Sequence, residues 1–226
     1  MESDSENSSL HPVLSRRSDL TIAIVALAVY VLVRFVLEGW LDSLHAYASY
    51  FFEVFFTLTV FFFFRAPLSF HFDRSKELKY ESLAALGLGL IVFKLALVIP
   101  VVIPFDFTAG SLVFMLLVVA PLLEEFLFRG ALWLAFEALT KSRKAAWVLS
   151  ALLFSFGHFF AYFKVPAEYK SFVVYQAAYT LVLGFWWGRS LIRQGSLWAT
   201  VFLHFWFNLG FYIAWRLTVL TLSTTA

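Results

Sequence analysis

The chain has 226 residues, of which 62% are hydrophobic, 20% aromatic and 14% charged, with a formal net charge of +2. A soluble domain averages about 45–50% apolar and about 25% charged residues, so a single water-surrounded core could not bury this apolar excess. The composition predicts an all-α polytopic membrane protein, because the apolar runs are continuous rather than alternating as in a β-barrel. The small net charge argues against nucleic-acid binding, and a chain without cysteine excludes disulfides, thiolate chemistry and Cys-ligated zinc.

Windows of about 20 apolar residues predict seven membrane spans. In chain order they cover 19–38, 46–64, 83–103, 110–138, 145–163, 172–189 and 197–220. The fourth span is too long for a simple crossing and contains Pro121, which predicts a break or kink and a possible division into two helical pieces. We therefore expect a polytopic membrane helix bundle of seven to eight transmembrane helices, preceded by a polar tail at 1–18.

The basic residues of the predicted loops are distributed unevenly between the two sides of the membrane. If the N-terminus is inside, eleven Lys and Arg residues lie in inner segments and two in outer loops. The inner residues are Arg16, Arg17, Arg65, Arg74, Lys76, Lys79, Lys141, Arg143, Lys144, Arg189 and Arg193; the outer ones are Lys164 and Lys170. The positive-inside rule predicts a cytoplasmic N-terminus in a multi-pass integral protein, at the plasma or inner membrane if the protein is bacterial.

Two adjacent acids interrupt the apolar fourth span. Glu124 and Glu125 are followed by Arg129, and each charge would cost roughly 2.5–3.5 kcal/mol at a bilayer centre. Glu125 and Arg129 stand at i and i+4 on one helix face, where they can pair, whereas Glu124 lies about 100° away. This geometry leaves Glu124 free to face a cavity. Alternatively, the three charges form only a polar contact between helices.

Two later spans contain histidines that could join these acids. His158 follows Gly157 in the fifth span, and His204 precedes Asn208 by four residues in the seventh. Each group alone is also compatible with interhelical hydrogen bonding. Polar side chains on three helices cannot all face lipid, however, so the pattern predicts that they point to a common interior.

These side chains are sufficient for two kinds of hydrolytic site. A carboxylate beside an imidazole can activate a water molecule, and a histidine with an amide can donate hydrogen bonds to an oxyanion. Alternatively, Glu124, His158 and His204 could bind zinc, which would then activate the water. The spacing alone does not distinguish the two mechanisms.

The pattern resembles the CPBP family, which comprises type II CAAX prenyl endoproteases and bacteriocin-processing or Abi proteins. The stretch 121–130 is similar to the family motif E-E-x-x-x-R, Phe154–His158 to F-x-x-x-H and His204–Asn208 to H-x-x-x-N. The glycines of Gly184–Gly188 resemble the small-residue helix of the family. The resemblance covers about 110–213, in the family's order.

This resemblance implies a membrane-embedded endopeptidase that acts on a membrane-associated protein or peptide. By position, Glu124 and His158 would activate the water, His204 and Asn208 would stabilise the oxyanion, and Glu125 and Arg129 would support the site. The resemblance favours a mechanism without a cofactor, with zinc as the alternative. It also implies three regions: a cytoplasmic tail (1–18), N-terminal transmembrane helices (19–105) and a catalytic bundle (106–222).

Two other classes of function remain open at the level of sequence. A non-catalytic bacteriocin-immunity protein could use the polar cluster to sequester a toxin or lipid. A proton-coupled carrier could use the glutamates as a relay, although the chain lacks the repeated halves typical of carriers.

Five further features give smaller expectations. Arg34 is expected to pair with Glu38 or to reach the interface, and Lys94 to pair with an acid elsewhere in the bundle or to contact a substrate carboxylate. The phenylalanine-rich run 51–64 is expected to face the lipid. Gly184 and Gly188 are expected to allow close packing between helices inside the protein. The basic, aromatic segment 65–79 is expected at the cytoplasmic headgroups.

Overall fold

The computed structural model describes residues 17–45, 47–65, 76–99 and 101–224, and within these it contains seven long helices. Helix α1 covers 17–44, and the others are α2 (Ala48–Phe64), α3 (Lys76–Val98), α4 (Gly110–Thr140), α5 (Arg143–Phe160), α6 (Lys170–Gln194) and α7 (Leu197–Thr224). Short 3₁₀ turns at Ala161–Phe163 and Ala167–Tyr169 connect α5 to α6. The expectations for most of the 1–18 tail and of the 65–79 segment fall on residues outside the described ranges.

The helices confirm an all-α, multi-pass membrane protein. Five of those in the described ranges are long and apolar enough to cross a bilayer, namely α1, α3, α4, α5 and α7. Helix α2 is apolar but shorter, and α6 contains more polar residues. The number of crossings, predicted as seven to eight, stays a prediction.

Helix α4 does not break at Pro121. It runs without interruption through 31 residues, with wider π turns at Met115–Val119 and Phe126–Leu132 on either side of the α-helical turn that contains the proline. In a π turn each backbone hydrogen bond spans five residues instead of four. This wider spacing accommodates proline, which has no backbone N–H to donate. The expected division of this segment into two helical pieces is therefore wrong.

Successive helices run in opposite directions, so the connections between them lie alternately at the two ends of the bundle. At one end, called here the mouth end, lie the connections at 45–47, 99–109 and 161–169; at the other, the basic end, α2 meets α3, α4 meets α5 and α6 meets α7. Ion pairs support the grouping, because Lys164 contacts Glu38 at the mouth end and Arg193 contacts Glu77 and Glu81 at the basic end.

Glycines allow the closest helix contacts. Helix α7 packs most extensively on α3, where a side chain at Gly89 would overlap the Phe207 carbonyl oxygen and one at Gly210 would overlap that of Leu86. Helices α5 and α6 form the second large contact, and a Cβ on Gly184 would lie 3.1 Å from the Ala151 Cα. A side chain at Gly188 would overlap the Trp147 ring. Internal packing of this glycine pair is confirmed.

The N-terminal helices cover one side of the bundle. In α2 the phenylalanines divide between two faces, with Phe51, Phe55 and Phe62 exposed and Phe56, Phe61 and Phe64 buried, so the reading of the whole run as lipid-facing bulk is wrong. The buried face packs on the second π turn of α4. Arg34 pairs with Glu38 as expected, whereas Lys94 donates a hydrogen bond to the Thr218 hydroxyl at 2.8 Å and not to the expected acid.

Candidate active site

The two adjacent glutamates of α4 lie in different surroundings. Glu125 is fully buried and accepts a hydrogen bond from Arg129 Nη1 at 3.1 Å, which confirms the predicted pairing. The Arg129 guanidinium also lies over the Phe154 ring, with its central carbon 4.3 Å from the ring centroid. A carboxylate and a guanidinium taken out of water are tolerated because each compensates the charge of the other.

Glu124 lies on the wall of a cavity of about 180 Å³. Its side chain retains 25% of its exposure, in contrast to the enclosed Glu125. Three other polar groups singled out in the sequence line the same cavity, namely His158, His204 and Asn208. The structure thus confirms that polar groups on α4, α5 and α7 point to a common interior.

His158 lies in the last full turn of α5, and its own helix determines which ring nitrogen carries the proton. Its Nδ1 is 2.9 Å from the Phe154 carbonyl oxygen, which can only accept a hydrogen bond, so Nδ1 donates. In a neutral ring the lone pair is then on Nε2. His158 can therefore accept a hydrogen bond from a molecule in the cavity.

His204 lies between the two glutamates. Its Nδ1 is 3.0 Å from Glu125 Oε1, and its Nε2 is 3.9 Å from Glu124 Oε2. The ring stacks on Trp187 of α6 with the centroids 4.4 Å apart. Trp187 was not singled out in the sequence, since an apolar span rich in aromatic residues gives no signal for one ring that orients a histidine.

The Asn208 side chain donates a hydrogen bond to a backbone carbonyl oxygen of α4. This oxygen lacks its usual backbone N–H donor because the donor position is occupied by Pro121. In the first π turn the Ala120 N–H bonds to the Met115 oxygen, so the next donor in that pattern, for the Leu116 oxygen, would be Pro121. Proline has no N–H, and Asn208 Nδ2 donates to the Leu116 oxygen instead, at 2.7 Å. An amide has two N–H donors, so the second remains for the cavity.

A second cavity, of about 130 Å³, adjoins the first and shares Glu124 with it. Tyr50 and Glu53 of α2 line this second space, together with Phe105 and Phe107 from the connection before α4. Glu53 lies 3.8 Å from Arg34 and was not singled out in the sequence. One acid in a phenylalanine-rich span could have been flagged by its cost in a bilayer, as Glu124 was.

A zinc ion in the cavity would need at least three protein ligands. Within the described ranges, no group of three or more His, Asp or Glu side chains is arranged to hold one. Of the three ligands expected for zinc, His204 is engaged with Glu125 through Nδ1, and His158 bonds to its own helix. Nδ1 bonds of this kind are also typical of histidines that bind zinc through Nε2, so they do not distinguish the two mechanisms.

Comparison with known families gives one match. Residues 106–210 match the family described as "Type II CAAX prenyl endopeptidase Rce1-like". Neither the curated proteins nor the solved structures contain a significant match to the chain. The matched residues include all six of the expected site residues and end in α7.

Proposed function

We propose that this chain, whose residues 106–210 match the Rce1-like family of type II CAAX prenyl endopeptidases within the CPBP family, hydrolyses a peptide bond in its cavity through a glutamate-activated water. The family makes the protein a membrane-embedded protease whose substrates are membrane-associated. The observation that carries the proposed mechanism is the cavity shared by Glu124, His158, His204 and Asn208.

In the first step, Glu124 takes one proton from a water molecule. The second hydrogen of the water donates to Nε2 of His158, which orients the oxygen toward the substrate. The resulting hydroxide adds to the carbonyl carbon of the scissile amide, and the carbonyl oxygen becomes an oxyanion. Glu124 then returns its proton to the amide nitrogen as the C–N bond breaks, which leaves a carboxylic acid and an amine.

The oxyanion requires donors on α7. Asn208 provides its second amide N–H, and His204 provides Nε2–H from the ring nitrogen that faces Glu124 and the cavity. Glu125 and Arg129 are positioning residues, because they hold His204 through its Nδ1.

Two further parts of the proposed function concern the cofactor and the orientation of the chain in the membrane. The protease uses no metal ion, since the cavity side chains suffice for water activation and, among the residues that the structure describes, no three are arranged to hold one. The N-terminus lies in the cytoplasm, because eleven basic residues fall in the inner segments against two in the outer ones. The partners are the bilayer and a membrane-associated protein or peptide substrate.

The decisive experiment compares purified wild-type protein with Glu124→Gln in a cleavage assay on a mixture of fluorogenic peptides. Loss of a general base lowers rates by about 10²–10⁴-fold. The matched control is Glu168→Gln, an exposed glutamate outside the cavity, which should cleave normally. His158→Ala and His204→Ala should also lose cleavage while the proteins accumulate. Cleavage retained by Glu124→Gln contradicts the mechanism.

A strong chelator and metal analysis test the remaining alternatives in the same assay. The proposal expects unchanged cleavage after chelation and no stoichiometric zinc. Chelator-sensitive cleavage with one zinc per chain supports the metalloprotease instead. A wild-type protein that protects cells from a bacteriocin, and still does so as Glu124→Gln, supports a non-catalytic immunity protein.

A further inference from the structure

The second cavity combines apolar walls with a carboxylate of its own. Besides the shared Glu124, its charged lining residue is Glu53 of α2, and Tyr50 adds a hydroxyl to the wall. The rest of the wall is apolar and consists mainly of Phe105, Phe107, Leu112, Met115, Leu116 and Leu123. Among the described residues, no Lys or Arg lines this cavity or the first one. Carboxylates on walls of low dielectric constant concentrate negative potential in such a space, which favours a cationic ligand.

The Glu53 carboxylate still has capacity to accept hydrogen bonds. Its ion-pair partner is Arg34, whose Nε lies 3.8 Å from Glu53 Oε1, beyond hydrogen-bond distance. Arg34 is in closer contact with Glu38, which Lys164 also contacts. No residue in the described ranges donates a hydrogen bond to Glu53, although its side chain is only 15% exposed. An enclosed carboxylate without donors is costly, so a ligand that supplies them is bound preferentially.

The shared Glu124 places the second cavity beside the bond that the proposed mechanism cleaves. Glu124 lines both cavities, whereas His158, His204 and Asn208 line only the first. The amide that is hydrolysed must therefore lie in the first cavity, next to Glu124. The second cavity is then left for a side chain of one of the two residues that form this amide.

From the charge, the walls and the position of this cavity together, we propose that it binds a lysine or arginine side chain of the substrate next to the scissile bond. The apolar stem of that side chain packs on the walls, and its cationic head donates hydrogen bonds to Glu53. The rings of Phe105 and Phe107 add to the attraction, since aromatic faces attract cations. Glu53 is then a specificity-determining residue, and the inference rests on the proposed protease function.

Other side chains are poorer occupants of the same space. A wholly apolar side chain would displace water from Glu53 without replacing the hydrogen bonds that the water made. An acidic side chain would bring a third carboxylate beside Glu53 and Glu124, and like charges repel. The preference should therefore run from basic side chains through apolar ones to acidic ones.

Matched peptides test this preference on the purified full chain. The bond that the protein cleaves in a fluorogenic peptide is located by mass spectrometry. Each of the two residues that form this bond is then replaced in turn by Lys and by Met, a flexible unbranched side chain without charge. At one of the two positions, kcat/KM should be about 10–100-fold higher for the Lys peptide, because a hydrogen bond to a charged group has an effect of that size. Equal values at both positions, or a preference for Met, overturn the inference.

Two variants then test whether Glu53 causes the preference. Glu53→Gln should lower the ratio of kcat/KM for the Lys peptide to kcat/KM for the Met peptide by about 10–100-fold. The matched control is Glu38→Gln, which removes a carboxylate from the same Arg34 but lines neither cavity, and it should keep the wild-type ratio.

The outcomes separate the inference from the proposed function. A ratio that is unchanged in Glu53→Gln, or lowered equally in Glu38→Gln, overturns the inference and leaves the protease assignment intact. The preference of the wild type tests the inference even where a variant fails to accumulate. No cleavage of any peptide by the wild type contradicts the proposed function itself, and the inference with it.

Discussion

Helix α4 separates two regions of unlike physical character. On one side Glu124 faces a cavity and keeps a quarter of its side-chain exposure; on the other Glu125 and Arg129 are sealed among aromatic rings. The two glutamates are neighbours in sequence, but only the first has free space before its carboxylate. Glu124 is therefore available for catalysis, whereas Glu125 is held in a buried ion pair with Arg129.

This difference separates effects on catalysis from effects on stability. A group on a cavity wall can be neutralised with little effect on folding, because few native interactions depend on it. A buried charge cannot, because removal of its partner leaves the other charge without compensation in a medium of low dielectric constant. His204 connects the two regions, since its ring lies between both carboxylates.

The largest expected effect is on the buried pair. Glu125→Gln leaves the Arg129 guanidinium uncompensated, which should lower the free energy of unfolding by about 3–5 kcal/mol. Thermal unfolding in detergent measures this loss, with Glu168→Gln as the exposed control. Cleavage should fall too, because His204 loses its Nδ1 partner.

A double variant checks the cause. Glu125→Gln combined with Arg129→Met removes both charges, and it should recover much of the stability without recovering cleavage. Equal instability of the single and double variants would contradict an electrostatic origin and point to packing alone.

The next effect concerns Asn208, whose amide serves both regions. Asn208→Ala should lower the cleavage rate by about 10²–10³-fold through loss of an oxyanion donor. It should also cost about 1–3 kcal/mol of stability, because the Leu116 carbonyl oxygen is left unsatisfied.

The proline of α4 offers a way to divide these two losses. Adding Pro121→Ala to Asn208→Ala supplies a backbone N–H near the Leu116 oxygen, which should restore stability but not cleavage. Restored cleavage in this double variant would show that Asn208 only positions the helices.

A smaller effect is expected where α3 supports the helix that carries His204 and Asn208. Gly210→Ala would push a methyl group into the Leu86 carbonyl oxygen and should destabilise the protein by about 1–3 kcal/mol. Gly87→Ala in α3 is the matched control, because a Cβ there meets nothing within 4 Å. The two variants are compared by unfolding temperature, and equal temperatures would mean that the helices separate easily here.

The smallest effect is a pH dependence at the rim of the cavity. The side chain and backbone N–H of Thr108 donate hydrogen bonds that lower the pKa of Asp106 below its ordinary value. A lowered pKa in the folded state gives stability above the ordinary pKa, about 3.9, and this stability is lost as pH falls through the lower folded value. Asp106→Asn should therefore unfold slightly more easily than wild type at neutral pH and equally below that range. A constant difference across this pH window would exclude the titration of Asp106 as its cause.

Much of the site could be predicted from sequence because charges in a membrane span are costly. The free-energy cost of Glu124, Glu125 and Arg129 in an apolar segment indicates that they are paired or functional. Because Arg129 follows Glu125 by four residues, Glu125 is the acid that pairs with it. The order of the polar motifs from Glu124 to Asn208 then indicates the same family whose model matches residues 106–210.

Aromatic and small apolar residues gave no such signal, because lipid and protein interior are equally acceptable to them. The stacking of Trp187 on His204 and the burial of one face of α2 depend on which helices are neighbours. Glu53 was overlooked for a related reason: its importance comes from a cavity shared with Glu124, not from its own segment.

The sequence by itself determined the helical membrane class, the pairing of Glu125 with Arg129 and the set of polar groups that must share an interior. These follow from local periodicity and from the cost of charge in lipid. Only the tertiary structure decided that α4 stays continuous past Pro121, that Asn208 takes up the carbonyl oxygen left free there, and that Glu124 faces a cavity while Leu127 to Ala135 of the same helix are buried. Those outcomes depend on how helices distant in sequence fill the space around one another, which no single segment encodes.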